Sequence, residues 1–333
     1  MQAHGAMSFH MIKNGALAWL GLRPTPLCVT YEITYRCNQT CRYCDRHVAL
    51  PNELATGEIF SVLEQFYNLG MRRISLDGGE PLLHGDISAV VDWLDDKGVV
   101  TVMNTNGLLV PKRSDTVRRL AKVKISLDGP EANHDAMRGQ GSFQRTVAGI
   151  VAAKELGVEV ELTCVVGKHN TDCVDELVDI AAGLGCVILF QPALNSLFLE
   201  VDRDGADWMA DVGAVRRAFA AVERLKRRGR PVGNGWASLR HFRHYPEDKE
   251  LPCAAGWVTA TLDPEGALYA CDQLNRDDRS NNVLERGVRQ AFLALERRGC
   301  SQCWCARIVE GNYAWGCRVD YMRRLRRAPW AEE

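Results

Sequence analysis

LCVTYEITYRCNQTCRYCDR, residues 27–46, is the stretch whose reading decides the fold. Its first eight residues, Leu27–Thr34, are rich in β-branched side chains and predict a strand. The strand runs into Tyr35-Arg36-Cys37-Asn38-Gln39-Thr40-Cys41-Arg42-Tyr43-Cys44-Asp45, a loop with Cys-x3-Cys-x2-Cys spacing. Thr56–Leu69 then shows helical spacing and stops at Gly70. Beyond it the two patterns alternate. Strands are expected over Arg73–Leu76, Val99–Asn104, Val123–Leu127, Val158–Val166 and Cys186–Phe190. Helices are expected over Ile87–Lys97, Asp115–Ala121, Phe143–Leu156, Val174–Leu184 and about 213–228. Strand–helix alternation of this kind gives an α/β fold with a parallel sheet and right-handed crossovers. The sheet is either open and doubly wound or a partial barrel. In both, the loops after the strands share one face, where active sites gather.

Outside this run the pattern changes. Residues 231–252 carry turn residues and histidines with little periodicity, and the chain from Cys253 onward holds six cysteines. The expected organisation is an extension over 1–24, the α/β unit over 25–230 and a cysteine-rich unit over 231–333, without repeats or low-complexity segments. Phe9–Leu22 has the pattern of a short amphipathic helix, packed on the protein's own body or resting on a membrane surface.

A net charge of −1 provides no broad basic surface for nucleic acid. Local basic runs, such as Arg224–Arg228, read as solvated helix faces. The 13 cysteines are an odd number in a full-sized α/β chain that lacks a secretory signal and a membrane-spanning run. A reducing cytoplasm is the expected location, where clustered cysteines signify metal or redox chemistry rather than disulfides.

Three thiolates on one loop, at Cys37, Cys41 and Cys44, can converge on one iron–sulfur cube. A [4Fe–4S] cluster takes four cysteines when fully ligated, so three leave one iron open, as in a catalytic metal site. By themselves the three cysteines also suit zinc, with a distant fourth ligand such as His47. Further signals lie at the later strand ends: Gly78-Gly79-Glu80-Pro81, Asn104-Thr105-Asn106-Gly107 and Ser126-Leu127-Asp128-Gly129. His134-Asp135-Ala136-Met137-Arg138-Gly139 follows. Glycines at a strand end let backbone approach a ligand closely.

This series resembles the radical S-adenosylmethionine (SAM) superfamily, in particular the subgroup of anaerobic sulfatase maturases and peptide-modifying enzymes. The resemblance covers roughly residues 25 to 230. It implies a partial (β/α)6 barrel, a [4Fe–4S] cluster held by Cys37, Cys41 and Cys44, and SAM chelated at the open iron. It further implies cofactor contacts from Tyr43, Gly78, Gly79, Glu80, Asn104, Asn106, Ser126, Asp128, Arg138 and Gln191. For Arg138 the alternative is a helix cap or an ion pair. The implied chemistry is reductive cleavage of SAM to methionine and a 5′-deoxyadenosyl radical, which takes a hydrogen atom from an unactivated carbon. An electron donor such as flavodoxin or ferredoxin is implied as partner.

Cys253, Cys271, Cys300, Cys303, Cys305 and Cys317 form a second set. Val258–Leu262 and Ala267–Ala270 predict a hairpin around Asp263-Pro264-Glu265-Gly266, which draws Cys253 and Cys271 together. The set resembles the auxiliary-cluster extensions called SPASM and twitch, with six cysteines where the full SPASM pattern has seven. Six suffice for one complete cluster. One auxiliary [4Fe–4S] cluster on Cys253, Cys271, Cys300 and Cys303 is therefore expected, with Cys305 or Cys317 able to replace one of these. A zinc knuckle is the alternative. Asp272 matches a Cys-Asp pair in sulfatase maturases, where the aspartate is a base; otherwise it accepts backbone hydrogen bonds. Cys28, Cys164, Cys173 and Cys186 read as small buried hydrophobes.

Motifs name the reaction type and not the substrate. The favoured substrate is a small hydroxylated metabolite, such as a sugar or aminocyclitol, oxidised or epimerised. The alternatives are a ribosomal peptide, a lipid, or a scaffold without catalysis. Against the peptide, the 26 residues before the first strand are too few for a separate leader-binding unit, although a partner protein could supply one.

Overall fold

Six strands stand in chain order across one sheet, each parallel to the next: β1 (Cys28–Thr34), β2 (Arg73–Gly78), β3 (Val100–Thr105), β4 (Lys122–Ser126), β5 (Glu159–Val166) and β6 (Val187–Pro192). The computed structural model describes residues 16–18, 20, 24–48, 52–193, 208–247, 251, 253–271, 279–296 and 303–315. The helices between the strands are α1 (Thr56–Leu69), α2 (Ile87–Asp96), α3 (Ser114–Val117), α4 (Glu131–Arg138), α5 (Ser142–Glu155) and α6 (Val174–Gly183). This is the partial-barrel α/β architecture that the alternation calls for.

Local chemistry explains the elements. In α1 the Glu58 side chain accepts from the Ala55 N–H at 2.8 Å, and Gly70 ends the helix in the left-handed region at φ 118°. Ile59, Val62, Leu63 and Phe66 recur at helical spacing and are buried. Each large side chain of this kind contributes roughly 1.5–3 kcal/mol on burial.

The strands are two-sided. Val29, Tyr31 and Ile33 of β1, Ile74 and Leu76 of β2, Val123 and Ile125 of β4, and Ile188 and Phe190 of β6 are buried in the apolar core. The alternate residues line cavities instead: Thr30, Ser75, Asp77, Asn104, Lys124, Ser126, Glu161, Thr163 and Gln191. One face is apolar and covered; the other is hollow and mixed, with Val102, Val165 and Leu189 beside these polar residues.

Three details depart from the sequence reading. The helix expected over Asp115–Ala121 is the single turn α3, because the Ala121 N–H bonds to the Thr101 carbonyl at 2.9 Å and leads into β4. Helix α4 was read only as a motif; eight residues are too few to show a period. The sheet also has eight strands. The expected hairpin is present as β7 (Thr259–Leu262) and β8 (Leu268–Tyr269), but β7 pairs in parallel with β1 and extends the sheet.

The remaining described helices are α7 (Val212–Arg227), α8 (Trp236–Phe242), α9 (Val283–Arg286), α10 (Val288–Leu293) and α11 (Ala306–Trp315). The apolar core runs past residue 230 without interruption, since Leu239, Phe242, Leu262 and Phe292 belong to it. Most of Phe9–Leu22 lies outside the described residues. Ala18 is fully buried, and its carbonyl accepts from the Trp257 indole N–H at 2.6 Å. Among the described residues no helix is long and apolar enough to cross a membrane.

Candidate active site at the strand ends

A cavity of about 250 Å³ opens at the carboxyl ends of the strands. Cys37, Cys41, Cys44, Tyr43, Gly78, Gly79, Asn104, Asn106, Ser126, Arg138 and Gln191 all line it. Residues spread over more than 150 positions of sequence thus share one wall.

The two glycines do their work against the protein's own backbone. A Cβ at Gly78 would stand 2.1 Å from the Thr34 carbonyl oxygen, and one at Gly79 would stand 2.3 Å from that of Arg36. The Gly79 N–H donates to the Thr34 carbonyl at 2.7 Å, and the Glu80 N–H to that of Arg36 at 2.9 Å. The end of β2 is thereby laced to the start of the cysteine loop. Asn106 adds a second tie, donating from Nδ2 to Asn38 Oδ1 at 2.7 Å.

Glu80 and Asp128, expected as cofactor contacts, do not line the cavity; both are fully buried beneath it. The Glu80 carboxylate accepts from the Thr105 hydroxyl at 2.8 Å, the Asn106 N–H at 2.9 Å and the Leu82 N–H at 3.1 Å. Burial raises its pKa despite these donors. Glu80 therefore fixes the β3 end to the β2 end.

Asp128 organises the opposite wall. One carboxylate oxygen accepts from the Tyr43 hydroxyl at 2.6 Å and from Arg138 Nε at 2.5 Å; the other accepts from the Val165 N–H at 2.9 Å. Burial pushes this carboxyl up, but the Arg138 charge and these hydrogen bonds outweigh it and hold it below the usual range. Arg138 also donates to the Tyr43 hydroxyl and, at 3.8 Å, to Cys41 Sγ. The guanidinium lines the cavity with most of its donors already engaged, so its ion pair and its place in the site are one arrangement.

Two buried residues to which the sequence reading gave no role support Asp128. His134 Nδ1 accepts from the Asp128 N–H at 3.2 Å, and Asn170 Nδ2 donates to the Asp128 carbonyl at 2.6 Å. Burial and the Arg138 charge push His134 down to about 4, so its ring is neutral. His134 stood in the quoted motif; Asn170 carried no local signal.

The radical SAM superfamily profile matches residues 31–182. That span begins in β1, includes the cysteine loop and ends in α6. Residues 31–182 are a radical SAM domain. It is similar to the AdoMet-dependent heme synthase of Nitratidesulfovibrio vulgaris, at 29% identity over 54% of this chain and 52% of the synthase. It is also similar to the mycofactocin maturase MftC of Mycolicibacterium smegmatis, at 28% identity over 79% of this chain and 68% of MftC. In fold it resembles Streptococcus suis SuiB bound to S-adenosylmethionine, with a TM-score of 0.63 at 18% identity over 84% of this chain and 68% of that one.

Radical SAM cofactors are a [4Fe–4S] cluster and SAM, and the donor set here fits them. Burial pushes the Cys41 thiol up to about 12 and raises Cys37, so both are neutral thiols until a cation's charge draws off the proton. The three thiols face one cavity.

The second cysteine set is described in part. Asn312 of α11 accepts from the Ala254 N–H at 2.9 Å and reaches Cys303 Sγ at 4.0 Å. Asn312 and Cys271 line a common cavity. Asn312 therefore joins the segments bearing Cys253 and Cys303. Cys305 is buried immediately before Ala306, the first residue of the Asn312 helix. Cys300, Cys317 and Asp272 lie outside the described residues.

Asp77 and Arg307 were also not anticipated. Arg307 of α11 reaches Asp77 of β2 at 3.3 Å on the cavity wall. Asp77 adjoins the glycine motif and could have been picked out from it; the partner comes from the far end of the chain.

Proposed function

We propose that this radical SAM enzyme modifies a ribosomally made peptide. The observation that carries the reading is the extent of the MftC likeness. A match over 79% of the chain is too long to stop short of Cys253, wherever it starts, so it takes in part of the second cysteine set. The heme-synthase likeness spans 54% of the chain, well short of that extent. This weighs against the small hydroxylated metabolite favoured by the cysteine count and Asp272.

Cys37, Cys41 and Cys44 hold the [4Fe–4S] cluster in this reading. When bound, the cluster and SAM supply the radical that takes a hydrogen atom from the substrate. The chain's own residues position and shield. Gly78 and Gly79 keep the cysteine loop against β2. Asn104, Ser126 and Gln191 present polar groups from three strand ends to SAM. Arg138, anchored by Asp128, holds Tyr43 and directs an N–H at Cys41, which adds positive charge beside the cluster. Cys253, Cys271 and Cys303 hold an auxiliary cluster, with the fourth ligand drawn from Cys300, Cys305 or Cys317. A flavodoxin- or ferredoxin-type donor supplies the electron.

The test is co-expression with each short peptide encoded beside the gene, followed by mass spectrometry of the peptide. A mass change that requires Cys41 is expected. Unmodified peptides, together with SAM-dependent consumption of an aminocyclitol or sugar by the same protein, would overturn the peptide reading.

A further inference from the structure

Gln39 lies between the first two cysteines of the loop and touches both sulfurs. Its backbone N–H donates to the Cys37 sulfur, and its side-chain oxygen, Oε1, accepts from the Cys41 thiol at 3.9 Å. The residue is only 6% exposed and lines the strand-end cavity. The other end of its amide, Nε2, is buried and has no hydrogen-bond partner among the described residues.

An amide donor buried without a partner is costly, whereas a methionine of similar size would fill the same space without that cost. While Cys41 carries its proton, the carbonyl is the correct end of the amide to face it. A sulfur bound to iron carries no proton and only accepts. The carbonyl then faces a negatively charged acceptor, and a donor of nearly the same shape stands unused on the same planar group. A half-turn about the last side-chain torsion, which is soft and roughly two-fold, exchanges the two ends.

We infer that Gln39 is a positioning residue for the radical-generating cluster, its amide turning on ligation so that Nε2 donates to the Cys41 sulfur where Oε1 had accepted. In that role it joins Arg138, whose Nη1 stands 3.8 Å from the same sulfur. Cys41 then has two side-chain donors, one neutral and one charged. Donors to ligating sulfurs favour the reduced state, which carries the extra negative charge, and so raise the reduction potential. One electron from the flavodoxin- or ferredoxin-type donor adds that charge, no proton moves, and the Gln39 N–H meets it. Gln39 thereby eases the entry of the electron that SAM cleavage consumes. The inference rests on Cys37, Cys41 and Cys44 as cluster ligands and not on the identity of the substrate.

The reconstituted full chain is compared with Gln39→Met, which keeps the length of the side chain and loses the amide. The quantity followed is the reduced-cluster EPR signal that shifts on adding SAM, since only a cluster with an open iron responds in this way. In a redox titration its reduction equilibrium in Gln39→Met should fall ~10-fold, a potential about 59 mV more negative for one electron. A direct readout comes from protein whose glutamines carry ¹⁵N at the side-chain amide alone. In electron–nuclear double resonance the wild-type signal should show a ¹⁵N coupling that is retained in Gln191→Met and absent in Gln39→Met. Gln191 is the other glutamine on the cavity wall, so its substitution keeps the test decisive even where Gln39→Met fails to load its cluster. A wild-type signal without ¹⁵N coupling, a coupling lost only in Gln191→Met, or an unchanged potential in loaded Gln39→Met would overturn the inference. Fully loaded wild-type protein with no SAM-responsive signal would instead overturn the cluster reading itself.

Discussion

Gly79 has no room for even a methyl group. Because a Cβ there meets two carbonyl oxygens of the cysteine loop within 2.5 Å, Gly79→Ala must push that loop off β2. SAM affinity of the reconstituted protein should fall ~10-fold or more in equilibrium binding, and unchanged affinity would contradict the lacing role. Asp128 offers a second test. Arg138→Met leaves its carboxylate buried beside only neutral donors, at a cost of about 3–5 kcal/mol in denaturant unfolding. His134 offers a third. Its ring is held near pKa 4 in the fold against about 6.5 when unfolded. The unfolded chain binds the extra proton between those values, so this group's stability is present above pH 6.5 and lost as pH falls toward 4. Roughly 3 kcal/mol should disappear over that window, and His134→Gln should flatten the slope. Residues whose role is local were legible in the sequence: the cysteine spacing, and the glycines at a strand end. The functions of Glu80 and Asp128 were not, because each depends on donors from other strand ends. Arg307 was invisible for the same reason, lying 230 positions from Asp77.

The elements were read well where the period was long. Helix α1 and its Gly70 stop carry a full apolar stripe and coincide with expectation. Phe66 in its last turn is fully buried, so Phe66→Ala should cost about 3–5 kcal/mol in denaturant unfolding. The hairpin of β7 and β8 was legible from its Asp263-Pro264-Glu265-Gly266 turn, but its docking was not. Parallel pairing of Val29 with Ala260 is a long-range choice that no local signal encodes. It makes β7 an interior strand between β1 and β8. Ala260→Pro removes a ladder donor there and should lower the melting temperature by several degrees; an unchanged value would mean that β7 contributes little to the sheet. The polar hollow face shows as alternation along β1 and β4, a pattern usual in half-solvated strands and unusual in a barrel interior.

At the scale of the molecule, the strand-end cavity and a second cavity, lined in part by Cys271 and Asn312, share Leu189 and Arg307 on one hollow face. Two four-iron clusters require about eight irons per chain. Anaerobic reconstitution followed by metal analysis should approach that value, and four irons with one zinc would replace the auxiliary cluster by a zinc knuckle. The central claim, that Cys37, Cys41 and Cys44 serve SAM cleavage, is tested most directly by one assay. Reconstituted protein with dithionite and SAM, under anaerobic conditions, should release 5′-deoxyadenosine, and Cys41→Ala should release none. A wild-type protein with its clusters fully loaded that yields no 5′-deoxyadenosine would contradict the account.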